Sequence, residues 1–446
     1  NDSTLGREIA YVGGAVHVWT GTIRDNLYYG LRHRPLIPPE RDGEEQKKYK
    51  RRVNEANQTR NPVYDLAAEW NDFDAAGVSN DGELDEKALA LLEAVRLDND
   101  IYRLGLQSRL DPSMNDALAE KILNVRKSLA GRIANEPKLA GLVELWNADS
   151  FNASASLAEN LFFAVPSDPE ITMDQVPELS EVKNFLSETG FDKKLQDIGL
   201  KIAETMLELF ANVSGDSGLL GSYSFINQDD LPEFERIVRI AKSGQQRPGL
   251  TDADRMKLMG LAFKLVPARH RLGVMTDALR DEIIAARKQF LDGVVKDSDS
   301  FVAFDPDVYL PPLTIEDNLL FGRARVDRRD ARRRIDEVIR TIVEETGLRY
   351  PIIYAGFGYH VGVSGSRLSA NQRRRIALVR GLLKNAKITI LDDIATGLTE
   401  EDKTLRDALR DFLSGKSFLH GTSNAEIAAE FDHRFVLDQG RISDKG

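Results

Sequence analysis

A short apolar segment, residues 387–391, limits the possible folds of this chain more than any other stretch of its sequence. It reads Lys-Ile-Thr-Ile-Leu and is followed by two adjacent carboxylates, Asp392 and Asp393. A predicted helix over residues 371–384 precedes it, and two more apolar runs follow a further helix. Helices that alternate with apolar strands predict an α/β fold with a parallel sheet. We therefore expect Asp392 at the carboxyl edge of that sheet, where α/β proteins bind their ligands.

The remainder of the chain divides into three regions. Residues 1–40 open with a short β-like run, and residues 301–446 alternate helix with strand. Residues 41–300 instead carry apolar side chains three or four positions apart, which is typical of helices that bury one face. No sustained heptad repeat occurs there, so a long coiled coil is not expected. The predicted fold is an α/β domain built from both ends of the chain, with a large, mostly α-helical insertion.

One short element occurs three times, at residues 22–30, 156–164 and 314–322. Each copy begins with Ser or Thr, followed three residues later by Asp or Glu, which is the capping-box pattern that starts a helix. Each also shares an Asn-Leu pair and apolar residues at fixed offsets. Capping boxes are common by chance, but the shared offsets predict a true internal repeat. The copies are too far apart for a solenoid.

Composition excludes several classes of function. The 446 residues include 60 basic and 71 acidic side chains, a formal net charge of −11, which argues against a nucleic-acid-binding protein. The chain has no cysteine, so disulfides, thiolate zinc sites and cysteine nucleophiles are excluded. No apolar run approaches the roughly 18 residues of a membrane-spanning helix. The chain begins at Asn1 without an initiator Met or a signal-like segment, and we expect it to be part of a longer protein.

Several ordered motifs resemble those of one known family, the ATP-binding cassette (ABC) proteins. Residues 365–380 resemble the family's signature motif, whose usual core is Leu-Ser-Gly-Gly-Gln, and residues 388–393 resemble its Walker B strand. Residues 395–399 occupy the D-loop position, and residues 436–442 match the closing strand and turn. Residues 9–26 resemble the Q-loop and the helix after it. The motif sequences are closest to those of the exporter-type branch, and the resemblance covers residues 1–31 and about 301–446.

This resemblance implies a partial P-loop NTPase domain that uses ATP and Mg²⁺. Asp392 would hold the metal, and Asp393 would orient the attacking water as the catalytic residue. The signature residues would face the γ-phosphate of a nucleotide held mainly by an opposing cassette. Two more positions correspond to the Q-loop glutamine and the switch histidine of the family. The implied nucleotide-binding residues are Ser369, Ala370, Asn371, Gln372, Gly14 and Ser423.

The chain departs from the family pattern at several of these positions. No Gly-x-x-x-x-Gly-Lys-Ser/Thr sequence occurs, so the phosphate-binding P-loop is missing. Gly14 replaces the Q-loop glutamine, and Ala370 and Asn371 replace two signature glycines. Ser423 replaces the switch histidine, although His420 lies three residues earlier. Taken singly, Asp392 could be a solvated strand end and Ser369 a plain helix N-cap.

Two functions therefore remain open. In the first, the chain is the later part of an ABC exporter-like ATPase that couples ATP binding and hydrolysis to transmembrane transport. In the second, it is a degenerate cassette that hydrolyses little and completes a partner's site or regulates it. A helical adaptor that keeps cassette remnants is a weaker third possibility. Either main function implies a second cassette, identical or not, and a transmembrane domain upstream or on another chain. The expected location is the cytoplasmic face of a membrane, with this chain itself soluble and no nucleic acid as partner.

Overall fold

Residues 6–113, 115–171, 175–211, 226, 228–243, 249–392 and 403–444 are described by a computed structural model of the chain. Its internal contacts separate two units, one formed by residues 1–108 with 350–446 and the other by residues 109–349. These boundaries differ from the sequence-based limits near residues 40 and 300. The difference arises because residues 81–106 form helices that pack on the signature-like helix, where Arg375 donates to the carbonyl of Val95 at 2.6 Å.

The strands are short. In chain order they are β1 (Ile9–Gly13), β2 (Arg32–Ile37), β3 (Glu69–Asn71), β4 (Val143–Leu145), β5 (Ala164–Pro166), β6 (Phe301–Ala303), β7 (Gly322–Ala324), β8 (Ile388–Asp392), β9 (Ser417–Gly421), β10 (Phe435–Asp438) and β11 (Arg441–Asp444).

Helices make up most of the rest. In the first half they are α1 (Ile23–Tyr28), α2 (Gly43–Thr59), α3 (Phe73–Ala76), α4 (Asp81–Ala94), α5 (Asp98–Leu106), α6 (Asp116–Asn135), α7 (Leu157–Phe162), α8 (Ser180–Thr189), α9 (Phe191–Ala211) and α10 (Leu231–Lys242). Then follow α11 (Asp252–Phe263), α12 (Pro267–His270), α13 (Asp277–Phe290), α14 (Ile315–Leu320), α15 (Ala331–Glu345), α16 (Arg349–Phe357), α17 (Ala370–Leu383), α18 (Lys403–Phe412) and α19 (Ala425–Ala428).

The first unit contains a parallel three-stranded sheet in the order β1-β8-β9. Tyr11 lies opposite Ile390 and Val12 opposite Leu391, so the predicted pairing of the two chain ends is confirmed. One face of the sheet is buried, with Val12 only 4% exposed and Leu391 fully buried, whereas Tyr11 on the other face is 62% exposed. Helix α17 packs on β1 through Gly381, where an added Cβ would lie 2.5 Å from a methyl group of Val12.

The last predicted strand does not join this sheet. Residues 436–442 were expected to form a closing strand and turn, and there β10 pairs with β11 as an antiparallel hairpin. Gln439 and Gly440, both with positive φ, form the two-residue turn. Such a turn matches the right-handed twist of antiparallel strands, so the local sequence favours a hairpin over a crossover connection.

The second unit is mostly helical, as the apolar spacing predicted. Helices α9 and α11 approach so closely that a Cβ on Gly199 would lie 1.9 Å from the carbonyl oxygen of Leu258. Leu195, Ile202 and their neighbours on α9 are buried in a large apolar core. The glycine is therefore the feature that allows this helix pair to pack.

Two copies of the repeated element pair with each other at the centre of the second unit. In the first copy, residues 156–164 contain α7, with β4 before them and β5 starting at their end. In the second copy, residues 314–322 contain α14, with β6 before them and β7 starting at their end. The strands are exchanged reciprocally, because β4 pairs with β7 and β5 pairs with β6, both antiparallel. The relationship resembles that of two subunits about a twofold axis.

Equivalent aromatic residues lie at this centre. The backbone N–H of Trp146 donates to the carbonyl of Phe321 at 3.1 Å, and that of Phe304 donates to the carbonyl of Phe163 at 2.9 Å. The rings of Trp146 and Phe304 stack with centroids 4.5 Å apart. Trp146 and Phe304 each lie ten residues before the start of their copy, so the repeat found in the sequence extends to tertiary contacts.

Candidate functional site

The carboxyl edge of the β1-β8-β9 sheet brings together three of the predicted site residues. Asp392 ends β8 and lies in register with Gly13 of β1 and Gly421 of β9. Gly14 follows β1 directly, and Ser423 lies two residues beyond the end of β9. All three are exposed. The parallel register alone produces this arrangement, because strands that run the same way end at the same edge.

Asp392 presents an accessible carboxylate at this edge. The Tyr11 hydroxyl donates to Oδ2 of Asp392 at 2.7 Å, and this hydrogen bond raises the pKa of Tyr11. The other oxygen, Oδ1, faces Gly421, where a Cβ would lie 3.3 Å away. A side chain at residue 421 would therefore crowd Oδ1.

The surroundings of Asp392 fit Mg²⁺ held chiefly by a nucleotide. No group of three or more His, Cys, Asp or Glu side chains arranged for a metal occurs in the described part of the chain. Mg²⁺ commonly takes one or two protein carboxylates and completes its shell with phosphate oxygens and water. A single accessible carboxylate beside the sheet edge is compatible with that mode of binding.

His420 does not replace the missing switch histidine at this edge. It lies in β9 opposite Leu391, on the buried face of the sheet, and its ring stacks on Phe418. Burial lowers its pKa, with help from the charges of Arg406 and Arg410. The histidine therefore faces α18 and its neighbours, whereas the edge position is held by Ser423.

Ser369 begins helix α17 as its N-cap. Its Oγ accepts a hydrogen bond from the backbone N–H of Gln372 at 3.2 Å, and Oε1 of Gln372 accepts from the N–H of Ser369 at 2.9 Å. Ser369, Ala370 and Asn371 are exposed, so the N–H groups of the first turn are accessible to an anion. The plain N-cap and the anion-binding interpretation are thus compatible.

Gln372 is less available than the sequence suggested. Besides closing the capping box, its Nε2 donates to Asp100 of α5 at 3.2 Å. A ligand at this helix end would meet Ser369 and the two residues after it first. The side chain of Gln372 sets the position of the helix end.

The signature-like end of α17 lies at a distance from the contact between this helix and β1. Ser369 precedes Gly381, the residue that packs on β1, by twelve positions. At about 1.5 Å per residue this corresponds to about 18 Å along the helix. Ser369 is thus separated by about three turns of helix from the part of α17 that packs on β1.

An arginine on α17 ties the helix to the segment that follows β1. Arg380 donates from Nε to the carbonyl of Asn26 at 2.7 Å, from Nη2 to Oδ1 of Asn26 at 3.3 Å and from Nη1 to the carbonyl of His17 at 2.9 Å. Its guanidinium also lies over the ring of Trp19. Burial lowers the pKa of Arg380 to about 10, so it remains charged at neutral pH.

The same contact recurs in the second unit. In each case a helix arginine donates from Nε to the asparagine carbonyl at 2.7–2.8 Å and from Nη2 to the asparagine Oδ1. We call each such contact a clasp. The three clasps in the described residues are Arg380 with Asn26, Arg287 with Asn160, and Arg126 with Asn318.

The clasp arginines were missed at the level of sequence, although a signal for them exists. Each lies eleven residues after the N-cap of its helix, which is Ser369 for α17, Thr276 for α13 and Asn115 for α6. The repeated asparagine was recognised, but its partner was not. A search for helices with this N-cap-to-arginine spacing finds all three.

Two predicted elements lie outside the described residues. Asp393, expected to orient the attacking water, and residues 395–399, expected to form the D-loop, both belong to the segment 393–402. The structure thus describes the Walker B-like strand up to Asp392. Among the described helices, none is long and apolar enough to cross a membrane.

Part of the chain is similar to known exporters. It is 34% identical over 138 residues to the ATP-dependent lipid A-core flippase of Xanthomonas euvesicatoria, which is 30% of this chain and 22% of the relative. It is 31% identical over 136 residues to the protein of the same name from Xylella fastidiosa, again 30% and 22%. It is 32% identical over 151 residues to the ABC multidrug transporter MDR2 of Trichophyton interdigitale, 33% of this chain and 11% of the relative.

The chain spans about a fifth of the length of the flippases it matches, and less of MDR2. No family model matches it, and no solved structure matches it. The similarity supports a relationship to ABC transporters for about 30% of the chain. The name of the two flippases also states that they depend on ATP.

Proposed function

We propose that this chain is part of the nucleotide-binding domain of an ABC exporter-like ATPase that couples ATP binding and hydrolysis to transmembrane transport. The cassette motifs come from residues 1–40 and 301–446, and residues 41–300 are the largely helical insertion between them. The structure groups residues 41–108 with the first unit and residues 301–349 with the second. The pairing of β1 with β8 is the observation that carries the proposal. It places a Q-loop-like strand beside a Walker B-like strand across more than 370 residues of sequence, with Asp392 at their shared edge.

In this proposal Asp392 holds the Mg²⁺ of a bound ATP, and Asp393 orients the attacking water. A bound Mg²⁺ would neutralise the negative charge that develops on the phosphate oxygens during phosphoryl transfer. Gly14 and Ser423 line the same edge. The family usually has a glutamine amide and a histidine imidazole at these two positions. Glycine and serine would make weaker contacts with the γ-phosphate.

Ser369, Ala370 and Asn371, with Gln372 behind them, serve a second cassette. The exposure of these residues at the start of α17 supports this, because their N–H groups are accessible to a phosphate of another molecule. The required partner is therefore another cassette, in a homo- or heterodimer, at the cytoplasmic face of a membrane whose spanning domain lies upstream or on another chain. No nucleic acid is involved.

The alternative is a degenerate cassette that completes a partner's site but hydrolyses little ATP itself. The substitutions at Gly14 and Ser423 favour it, since both remove a side chain that would contact nucleotide.

A paired substitution in the full-length protein distinguishes the two functions. The ABC family normally has Glu at the position of Asp393. Asp393→Glu combined with Ser423→His introduces the longer carboxylate and the imidazole, and steady-state ATP turnover should then rise by about tenfold or more if the site is only weakened. The matched control is Asp411→Glu with Ser414→His, which makes the same changes at exposed positions of the same unit. Unchanged turnover, with ATP still driving dimerisation, would establish the degenerate alternative.

A further inference from the structure

Helix α2 (Gly43–Thr59) has a charge opposite to that of the chain as a whole. Residues 47–52 read Lys-Lys-Tyr-Lys-Arg-Arg, five basic side chains without an acidic one, in a chain of net charge −11. All five basic side chains are exposed. None forms an ion pair with another described residue, in contrast to the arginine-rich α15, where Arg332 and Arg333 pair with carboxylates on the same helix. The charge of Arg52 acts on Asp65, and the other four basic side chains of residues 47–52 are available to a partner.

The helix packs on its own unit through a narrow stripe only. Tyr49, Val53 and Ala56 are half-buried, and no residue of the helix is fully buried. At 100° per residue, Lys47 and Arg51 lie almost opposite this stripe. The basic face of α2 thus points away from the body of the first unit.

Apolar side chains flank this helix and are unusually exposed. Leu66 is 77% exposed, Ile37 60%, Tyr64 57% and Val63 40%. After Arg60 the chain turns back along the helix. Scattered exposed apolar residues are normal in proteins, but a group of four beside a basic helix indicates an interaction site.

Specific contacts fix this arrangement. Arg41, just before the helix, donates two hydrogen bonds of 2.7 Å to Asp65 and stacks on the ring of Tyr49. The indole N–H of Trp70 donates to the carbonyl of Asp65 at 3.0 Å. Asp65 thereby holds residues 63–66 beside α2, on the side of Tyr49, where the charge of Arg52 also acts on Asp65. The apolar residues 63–66 therefore border the basic residues of α2 near Arg52.

We propose that α2, with Ile37 and residues 63–66, docks on an anionic lipid bilayer. Lysine and arginine side chains are attracted to the negative surface potential of such a bilayer, and aliphatic and tyrosine side chains enter its interface. A nucleic acid would satisfy the basic groups but would leave Leu66 and Ile37 in water. The combination of charge and aliphatic exposure therefore favours lipid, independently of any ATPase activity.

Vesicle sedimentation tests this docking with the 446-residue chain. Vesicles of phosphatidylcholine with about one third phosphatidylglycerol should bind the chain, whereas phosphatidylcholine alone should bind at least tenfold less. Binding should weaken steeply as salt is raised toward about 1 M, because the Debye length falls to about 3 Å. Equal binding to both vesicle types, or none to either, would overturn the proposal.

Two sets of substitutions separate this surface from general charge effects. Replacing Lys47, Lys48, Arg51 and Arg52 with Gln should reduce the partition onto anionic vesicles by about 100-fold or more. Leu66→Ser should reduce it by several-fold without altering the salt dependence. The matched control replaces four exposed arginines of the second unit with Gln, and it should bind as the unchanged chain does. Those four are Arg328, Arg329, Arg333 and Arg340.

An equal loss in the control would show that only net charge matters and would refute the assignment of the surface. Binding of a short duplex DNA that depends on the four α2 side chains, without vesicle binding, would assign the surface to nucleic acid instead. Circular dichroism establishes that each variant is folded. All four α2 positions are exposed, so the fold does not depend on them, and the salt dependence of the unchanged chain provides a second, mutation-free test.

Discussion

Arg380 donates a hydrogen bond from Nε to the backbone carbonyl of Asn26 at 2.7 Å, although 354 residues separate the two in the chain. Asn26 is 1% exposed, and its own amide donates to the carbonyl of Trp19 at 2.9 Å. The guanidinium of Arg380 therefore donates to oxygen atoms of Asn26 that are almost inaccessible to water. Through this clasp the segment after β1 is held against α17, the helix that begins at the signature-like residues.

Loss of a clasp arginine should destabilise the unit that contains it. Arg380→Gln leaves buried carbonyl oxygens without a donor, at an expected cost of about 3 kcal/mol in the free energy of unfolding. Because Trp19 and Trp70 lie in the first unit and Trp146 in the second, urea unfolding followed by tryptophan fluorescence in a Trp146→Phe background reports on the first unit. Arg287→Gln should spare this transition and instead shift the one that Trp146 reports. Equal shifts of both transitions by either substitution would contradict independent clasps.

Arg323 links the capping acids of the two copies in the second unit. It forms ion pairs with Glu159 and Asp317, including a 3.2 Å bond from Nε to Glu159. Burial lowers the pKa of Arg323, but the two carboxylates more than reverse this effect and raise it. Arg323→Met leaves two carboxylates facing each other and should cost about 3 kcal/mol of stability, measured by urea unfolding with Trp146 as reporter.

The control for Arg323 lies two residues away. Arg325 pairs with Asp327 at 2.9 Å on a more exposed part of the same segment. Arg325→Met should cost about 0.5 kcal/mol, as is typical of exposed ion pairs. Similar losses for the two variants would show that the bridge between the copies has no special role.

His270 should make the second unit less stable in mild acid. Its Nδ1 accepts a hydrogen bond from the backbone N–H of Val266 at 3.0 Å, and burial, together with the charge of Arg269, lowers its pKa to about 4. An unfolded histidine has a pKa of about 6.5, so the unfolded state takes up a proton first as pH falls. The free energy of unfolding should therefore decrease between about pH 6.5 and pH 4.

His270→Gln removes this titration and should flatten the pH dependence reported by Trp146. His270 is the only histidine between residues 109 and 349. Asp254 does not interfere, because its hydrogen bond from Arg236 lowers its pKa to about 2, and its contribution is lost only at lower pH. An unchanged slope in the variant would mean that folding does not lower the pKa of His270.

The 446-residue chain alone should bind ATP weakly and should not hydrolyse it. Without a P-loop, the backbone N–H groups and lysine that usually hold the phosphates are missing from the sequence. Calorimetric titration with Mg-ATP and a phosphate-release assay measure the two properties. Submicromolar affinity, or steady turnover that Asp393→Asn abolishes, would contradict this prediction.

Local patterns in the sequence predicted the local structure well. Capping boxes at Thr22 and Ser156 start helices there, and in the third copy Thr314 caps α14 through its hydroxyl. The apolar segment before Asp392 forms β8. These features depend on hydrogen bonds and side-chain periodicity within a few residues, which the sequence displays directly. The strand and turn expected at residues 436–442 form the β10–β11 hairpin.

The sequence by itself determined the order of the motifs, the helix starts and the acid at the strand end. Only the tertiary structure decided which arginine meets which asparagine. Arg126 follows Asn26 most closely in the chain, yet it binds Asn318, while Asn26 binds Arg380. The three clasps are locally alike, so no short-range preference separates them. The cost of closing a longer loop grows only with the logarithm of its length, and the packing of whole helices and strands therefore selects the partner.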